Sequence, residues 1–175
     1  MTLKEKLQKL MDDLEKNKKK PGVMADLRCG LIPSREFRAW PHIARCGFNL
    51  ELDRERIPAL VTAFAFACQP DAAPDKENMG DVLRRIACGN GGSDGLTTFA
   101  LRFNRILACE TSKEVALHLK AVLAMSKTQG IPINHKGLFW DLVKWETDES
   151  VRREWANHYF SVNKAKGKET TGDEA

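Results

Sequence analysis

The chain has 175 residues, with Lys+Arg 28 against Asp+Glu 24 and a net charge of +4. That length supports one sizeable core or two small ones. The pI of 8.8 stays under the level of about 9 usual for dedicated nucleic-acid domains, so any grip on a polyanion must come from the placement of charge. No stretch approaches the eighteen or so apolar residues of a membrane span, and no charged-then-apolar signal segment opens the chain.

The five cysteines, Cys29, Cys46, Cys68, Cys88 and Cys109, are odd in number and at least seventeen residues apart. They form no CxxC or Cys/His ligand spacing and sit beside Ala, Phe and Leu, as small buried residues do. The expectation is a reducing cytoplasm, with no disulfide, metal or cofactor.

Thr2 and Glu5 make a capping box for a first helix whose apolar edge is Leu3, Leu7, Leu10, Met11 and Leu14. Four lysines between Lys16 and Lys20, then Pro21-Gly22, end it. A short helix follows over Val23–Gly30, with Arg28 expected to be exposed near its end. After Pro33-Ser34, Ile43 and Ala44 suggest a brief helix stopping at Gly47. Asp53 starts a longer one with Ile57, Leu60, Val61, Phe64 and Cys68 inward and Pro58 near its first turn. Gln69–Asn78, with two prolines and mixed charges, reads as a linker.

Asp81–Cys88 reads as a short helix with Val82, Leu83, Ile86 and Ala87 on one side and Arg84 projecting away. Gly89-Asn90-Gly91-Gly92 reads as a loop; it is no phosphate loop, because no GxxxxGK[ST] follows and no strand precedes it. Ser93 or Asp94 caps the next helix. Leu96, Phe99, Ala100, Phe103, Ile106 and Leu107 form its apolar stripe. At about 100° per residue, Arg105 points away from that stripe and Arg102 sits on its flank.

The helix after it has Val115, Leu119, Val122 and Ser126 on its inner line and Lys113, Lys120 and Lys127 seven apart outside, and ends at Gly130. Ile131-Pro132-Ile133 is an extended link. Asn134 caps a helix through Glu146 with Leu138, Leu142 and Trp145 inward, Phe139 and Val143 widening that side, and Trp140 and Lys144 pointing elsewhere. Thr147-Asp148 caps a last helix with Val151, Trp155, His158, Tyr159 and Val162 inward, and Arg152 and Arg153 outward. The predicted class is all-α, two small helical bundles joined by short loops: 1–72, 73–163, and a polar, Lys-bearing tail over 164–175 expected to be disordered.

No catalytic constellation appears. His42, His118, His135 and His158 form no HExxH and pair with no second ligand three or four residues away. The carboxylates fall at helix starts or on solvated faces, where they complement helix dipoles. The positive set is more informative. Arg84, Arg102, Arg105, Lys113, Lys120 and Lys127 leave the apolar faces of consecutive helices, and few acidic residues interrupt them. Ordinary solubilising charge is the competing explanation. A row of this kind holds phosphates without reading sequence.

Several short motifs then fall into a familiar order: Ala25-Asp26-Leu27-Arg28-Cys29-Gly30, Ala39-Trp40-Pro41-His42, Gly80-Asp81-Val82-Leu83-Arg84, Arg102-Phe103, Leu119-Lys120, Asp141-Leu142-Val143-Lys144-Trp145, and Trp155-Ala156 with Phe160. In this order and spacing, over roughly residues 22–162, the chain resembles the CasB family, the small subunit of the type I-E CRISPR Cascade complex. The resemblance implies an all-helical, non-catalytic protein. It also implies two copies in an antiviral ribonucleoprotein with other Cascade proteins, guide RNA and both strands of target DNA. There a basic surface would steady the guide–target region and the displaced strand during R-loop formation, an exchange so nearly balanced that backbone contacts tip it. It carries the basic role to Arg28, Arg84, Arg102, Lys120 and Arg152. The helical geometry adds Arg105, Lys113 and Lys127.

This chain departs from the family pattern in having Leu101 before Arg102 and a lysine at 120, which keeps the charge but loses the bidentate fork. Two other readings compete. In one, the chain is a protein–protein adaptor docking through Trp140, Leu101 and Phe160, and its cations only solvate it. In the other it is a helical transcription factor, for which no motif speaks.

Overall fold

The computed structural model describes residues 1–89 and 91–161, and within that span every regular element is helical. The predicted all-α class is the observed one. The helices are α1 (Leu3–Asn17), α2 (Pro21–Leu27), α3 (Trp40–Ala44), α4 (Asp53–Cys68), α5 (Met79–Gly89), α6 (Gly92–Leu107), α7 (Ser112–Gln129), α8 (His135–Lys144) and α9 (Ser150–Phe160), with a 3-10 turn at Glu36–Arg38 before α3. Among the described residues none of these helices is long and apolar enough to cross a membrane. Expectations for Asn90, Val162 and the tail over 164–175 lie outside the described residues.

The fold is assembled around α4. From Ile57 to Cys68 every residue of this helix is buried, where the periodicity predicted a single inner face. A helix that is apolar all round must be covered all round. Here α1, α2 and α3 cover it from the chain before it, and α7 and α8 from the chain after it. The run Ala63-Phe64-Ala65-Phe66-Ala67 makes this possible, because its alanines leave room for neighbouring helices on every side. Pro58 lies inside the helix and is buried.

Around α5 a second layer forms from α6, α7 and α9. Helix α7 touches both layers, and one apolar cluster runs without a break from Leu7 to Tyr159. Its largest fully buried side chains, Trp145, Trp155, Tyr159, Phe103 and Phe139, all come from α6 and the chain after α7. Phe103 stacks on Tyr159 with ring centroids 4.3 Å apart, and Trp145 tilts against Trp155 at 5.0 Å.

The segment 69–78 is tied down rather than free. The Ala73 amide donates to the Ile133 carbonyl at 3.1 Å, and the Ile133 amide donates to Asp71 at 3.1 Å. A short parallel bridge thus fastens the segment to the link before α8. Buried His135 adds a contact of 2.8 Å between its Nε2 and the Gln69 carbonyl oxygen, and burial lowers its pKa.

Local signals set most helix ends. Thr2 and Glu5 form the predicted capping box. Asn134 caps α8 by accepting from the Gly137 amide at 2.9 Å, although that helix stops at Lys144 rather than Glu146. Gly130 closes α7 in the left-handed region at φ 65°, which a Cβ would strain. Two cap predictions are corrected. Helix α6 begins two or three residues earlier, in the glycine segment, with Gly91 at its N-cap. Helix α9 has Glu149 at its N-cap, and Asp148 instead accepts from the Ser150 amide at 2.9 Å.

Candidate nucleic-acid interface

The eight basic residues singled out by sequence separate into two groups by what their head groups touch. Arg102 and Arg105 of α6 and Lys113 and Lys127 of α7 are exposed; Lys120 is half-buried. None of the five makes an ion pair with a described residue, although acid–base pairs occur elsewhere, from Lys6–Glu55 to His158–Asp81. Sequence supplies the reason. Within α6 and α7 the acidic side chains are Asp94 and Glu114, and Glu114 is spent capping α7 with Thr111.

The backs of these two helices are fixed. Phe103 and Ile106 on α6, and Val115, Leu119, Val122, Leu123 and Ser126 on α7, are buried. From Lys113 to Lys127 the α7 row spans about 21 Å at 1.5 Å per residue, a length that matches roughly six phosphates at about 3.4 Å per nucleotide of one strand. Arg102 reaches across from α6 to α7. Its guanidinium carbon lies 5.5 Å from the centroid of the Phe99 ring, and Nη1 is 3.7 Å from Met125 Sδ. A thioether is a weak acceptor, so the charge stays available.

The other three arginines are committed to the protein's own backbone, and the expected outward projection is corrected for each. Arg28 is half-buried at the end of α2, and its Nε donates to the Ala67 carbonyl at 3.0 Å. Arg84 is half-buried, and Nη1 donates to the Tyr159 carbonyl at 2.7 Å, closing the last turn of α9 against α5. Arg152 is half-buried: Nη2 donates to Cys109 O at 2.9 Å, and the guanidinium lies 5.2 Å over the Trp145 ring. Carbonyls at helix ends lack helical partners, and a long cation satisfies them while neutralising the dipole.

Three of the four histidines weighed for catalysis, His42, His135 and His158, have structural partners instead. His42 Nε2 lies 3.4 Å from Asp26, and His158 Nδ1 lies 2.6 Å from Asp81. Burial opposes ionisation of Asp26, but hydrogen bonds from His42 and Arg38 outweigh it and lower the pKa. Burial pushes the thiols of Cys46, Cys68 and Cys109 up, so they are poor nucleophiles. Among the described residues no three His, Cys, Asp or Glu side chains gather as a metal site would require.

Of the docking candidates, Trp140 is half-buried and packs edge-on against Phe139 with centroids 5.3 Å apart, whereas Leu101 and Phe160 are exposed. A cleft beside Arg102 is not legible in the sequence, because the helical period puts Phe99 on the inner stripe while its half-exposed rim position depends on how α5, α6 and α7 pack.

Residues 23–160 match the family model described as CRISPR-associated protein Cse2. The chain belongs to the Cse2 (CasB) family, the small subunit family of type I-E Cascade. Solved structures with the same fold include a chain of a "CRISPR RNA-guided surveillance complex". It is 24% identical at a TM-score of 0.67, covering 90% of this chain and 91% of that one. Another is CasB from Thermobifida fusca, 16% identical at a TM-score of 0.63, covering 88% of this chain and 94% of that one. At these identities the likeness establishes the fold. A search of curated proteins finds no match.

Proposed function

We propose that this Cse2-family chain is a non-catalytic subunit of an RNA-guided Cascade surveillance complex in antiviral defence. It holds nucleic acid by neutralising phosphates. Its partners are the guide RNA, both strands of target DNA, other Cascade proteins and a second copy of itself. The observation that carries the reading is the set of five cations on α6 and α7, unpaired with any carboxylate among the described residues and held on rigid apolar backs. Contacts of that kind release counterions and read no sequence. They can tip a strand exchange that is otherwise close to balance. Arg28, Arg84 and Arg152, whose head groups are bound to backbone carbonyls, serve the fold rather than the phosphates.

The test is Arg102→Ala with Lys120→Ala, titrated with a labelled oligonucleotide across a salt series. The slope of log K against log salt should fall in magnitude by about 1.4 for a single strand or about 1.8 for a duplex. Unchanged affinity and slope would overturn the reading. The adaptor alternative then gains, since Leu101 and Phe160 are exposed apolar side chains able to dock a protein, as are Phe37 and Leu117.

A further inference from the structure

Next to Arg102 lies a cleft of about 460 Å³, walled by Ala87 from α5, by Asp94, Thr98 and Phe99 from α6, and by Met125 from α7. That volume is within the range of about 300–1,000 Å³ typical of small-molecule sites. Its walls differ in chemistry. The half-buried Phe99 ring is flat and apolar, and the Met125 thioether with the Ala87 methyl supplies soft contact surface. The Asp94 carboxylate is exposed at the cleft and accepts no hydrogen bond from the described residues. Arg102 lies over the Phe99 ring with its charge uncommitted to any carboxylate of the described residues.

A ligand suited to these walls is planar and aromatic. It carries an amine for Asp94 and an anion for Arg102. We infer that the cleft seats one unpaired, amine-bearing nucleobase of a single strand whose phosphates follow the α6 and α7 cations. This rests on the phosphate-holding reading and adds what that reading lacks, a preference for unpaired strands. A base in a duplex is stacked and paired and cannot enter. A base in a single strand stacks on an aromatic ring, which holds single strands in a sequence-tolerant way. The carboxylate accepts from the exocyclic amines of cytosine and adenine, which thymine and uracil lack.

The experiment uses the full chain and a cytosine oligonucleotide carrying one 2-aminopurine, alone and annealed to its complement. Binding of the single strand should change the 2-aminopurine emission. Thr98→Phe, a substitution at an exposed helical position, fills the cleft. It should abolish that change and weaken single-strand binding about tenfold while leaving the salt slope intact. Asp94→Ala should erase a preference for a cytosine over a thymine oligonucleotide.

Binding with a full salt slope but no emission change in the parent chain overturns the base seat and leaves the phosphate reading standing. Absence of any salt-dependent binding overturns both. Intact oligonucleotide binding by Thr98→Phe with lost association to other complex subunits would assign the cleft to a protein side chain and also overturn the seat.

Discussion

Arg152→Ala separates structural from binding arginines most sharply. The side chain donates a charge-assisted hydrogen bond of 2.9 Å to Cys109 O and lies 5.2 Å over the Trp145 ring. Losing such a hydrogen bond costs about 1.5–3 kcal/mol, and losing the cation–π contact costs about 0.5–2 kcal/mol. Two features reduce the sum. Cys109 O keeps a second donor, Trp145 Nε1 at 2.9 Å, so the carbonyl is not orphaned. The Arg152 Nε is buried without a hydrogen-bond partner among the described residues, and the substitution relieves that penalty.

A net loss of about 1–3 kcal/mol follows, which for a chain of this size lowers Tm by about 2–12 °C. Melting by far-UV circular dichroism reads the loss, and anisotropy titration with an oligonucleotide at several salt concentrations reads binding. Arg152→Ala should lower Tm and keep the salt slope. Arg105→Ala, at an exposed residue with no ion pair among the described residues, should leave stability within about 0.5 kcal/mol and reduce the single-strand slope by about 0.7. A melt unchanged by Arg152→Ala together with a flattened slope would refute the division, because it would place that guanidinium on phosphate rather than on its own backbone.

Asp141 offers a pH test. Burial pushes its carboxyl up to about 6, although the Trp155 indole N–H donates to it at 2.7 Å and pulls the other way. Since the folded pKa lies above the unfolded one, the group's contribution is greatest at low pH and is lost as pH rises through about 6. Asp141→Asn keeps an acceptor for Trp155, so it should raise Tm near pH 8 by more than it does near pH 5; an equal gain at both would show that ionisation is not the cause. Thr111→Ala removes the acceptor for the Glu114 amide, 3.2 Å away, and should cost about 1 kcal/mol, or about 2–4 °C in Tm. An unaltered melt would mean that the start of α7 is held by its packing alone.

What could be read from residue order was whatever depends on a single helix. The Thr2–Glu5 box, the Asn134 cap and the closing Gly130 act through neighbours within four residues, so their chemistry is written locally. The inner line Val115, Leu119, Val122 and Ser126 and the outward set of Arg105, Lys113 and Lys127 follow from one helical period. Tertiary structure decided the rest. A helical projection gives the direction of a side chain from its own axis but not what arrives from another helix. Arg84 met the end of α9, Arg152 met the turn before α7, and Arg28 met the end of α4, each at carbonyls distant in sequence. The all-round burial of α4 likewise needed α8, supplied by residues far along the chain, to cover its remaining side. A long, flexible cation goes to the unsatisfied carbonyl within its reach, and which carbonyl that is depends on packing between helices.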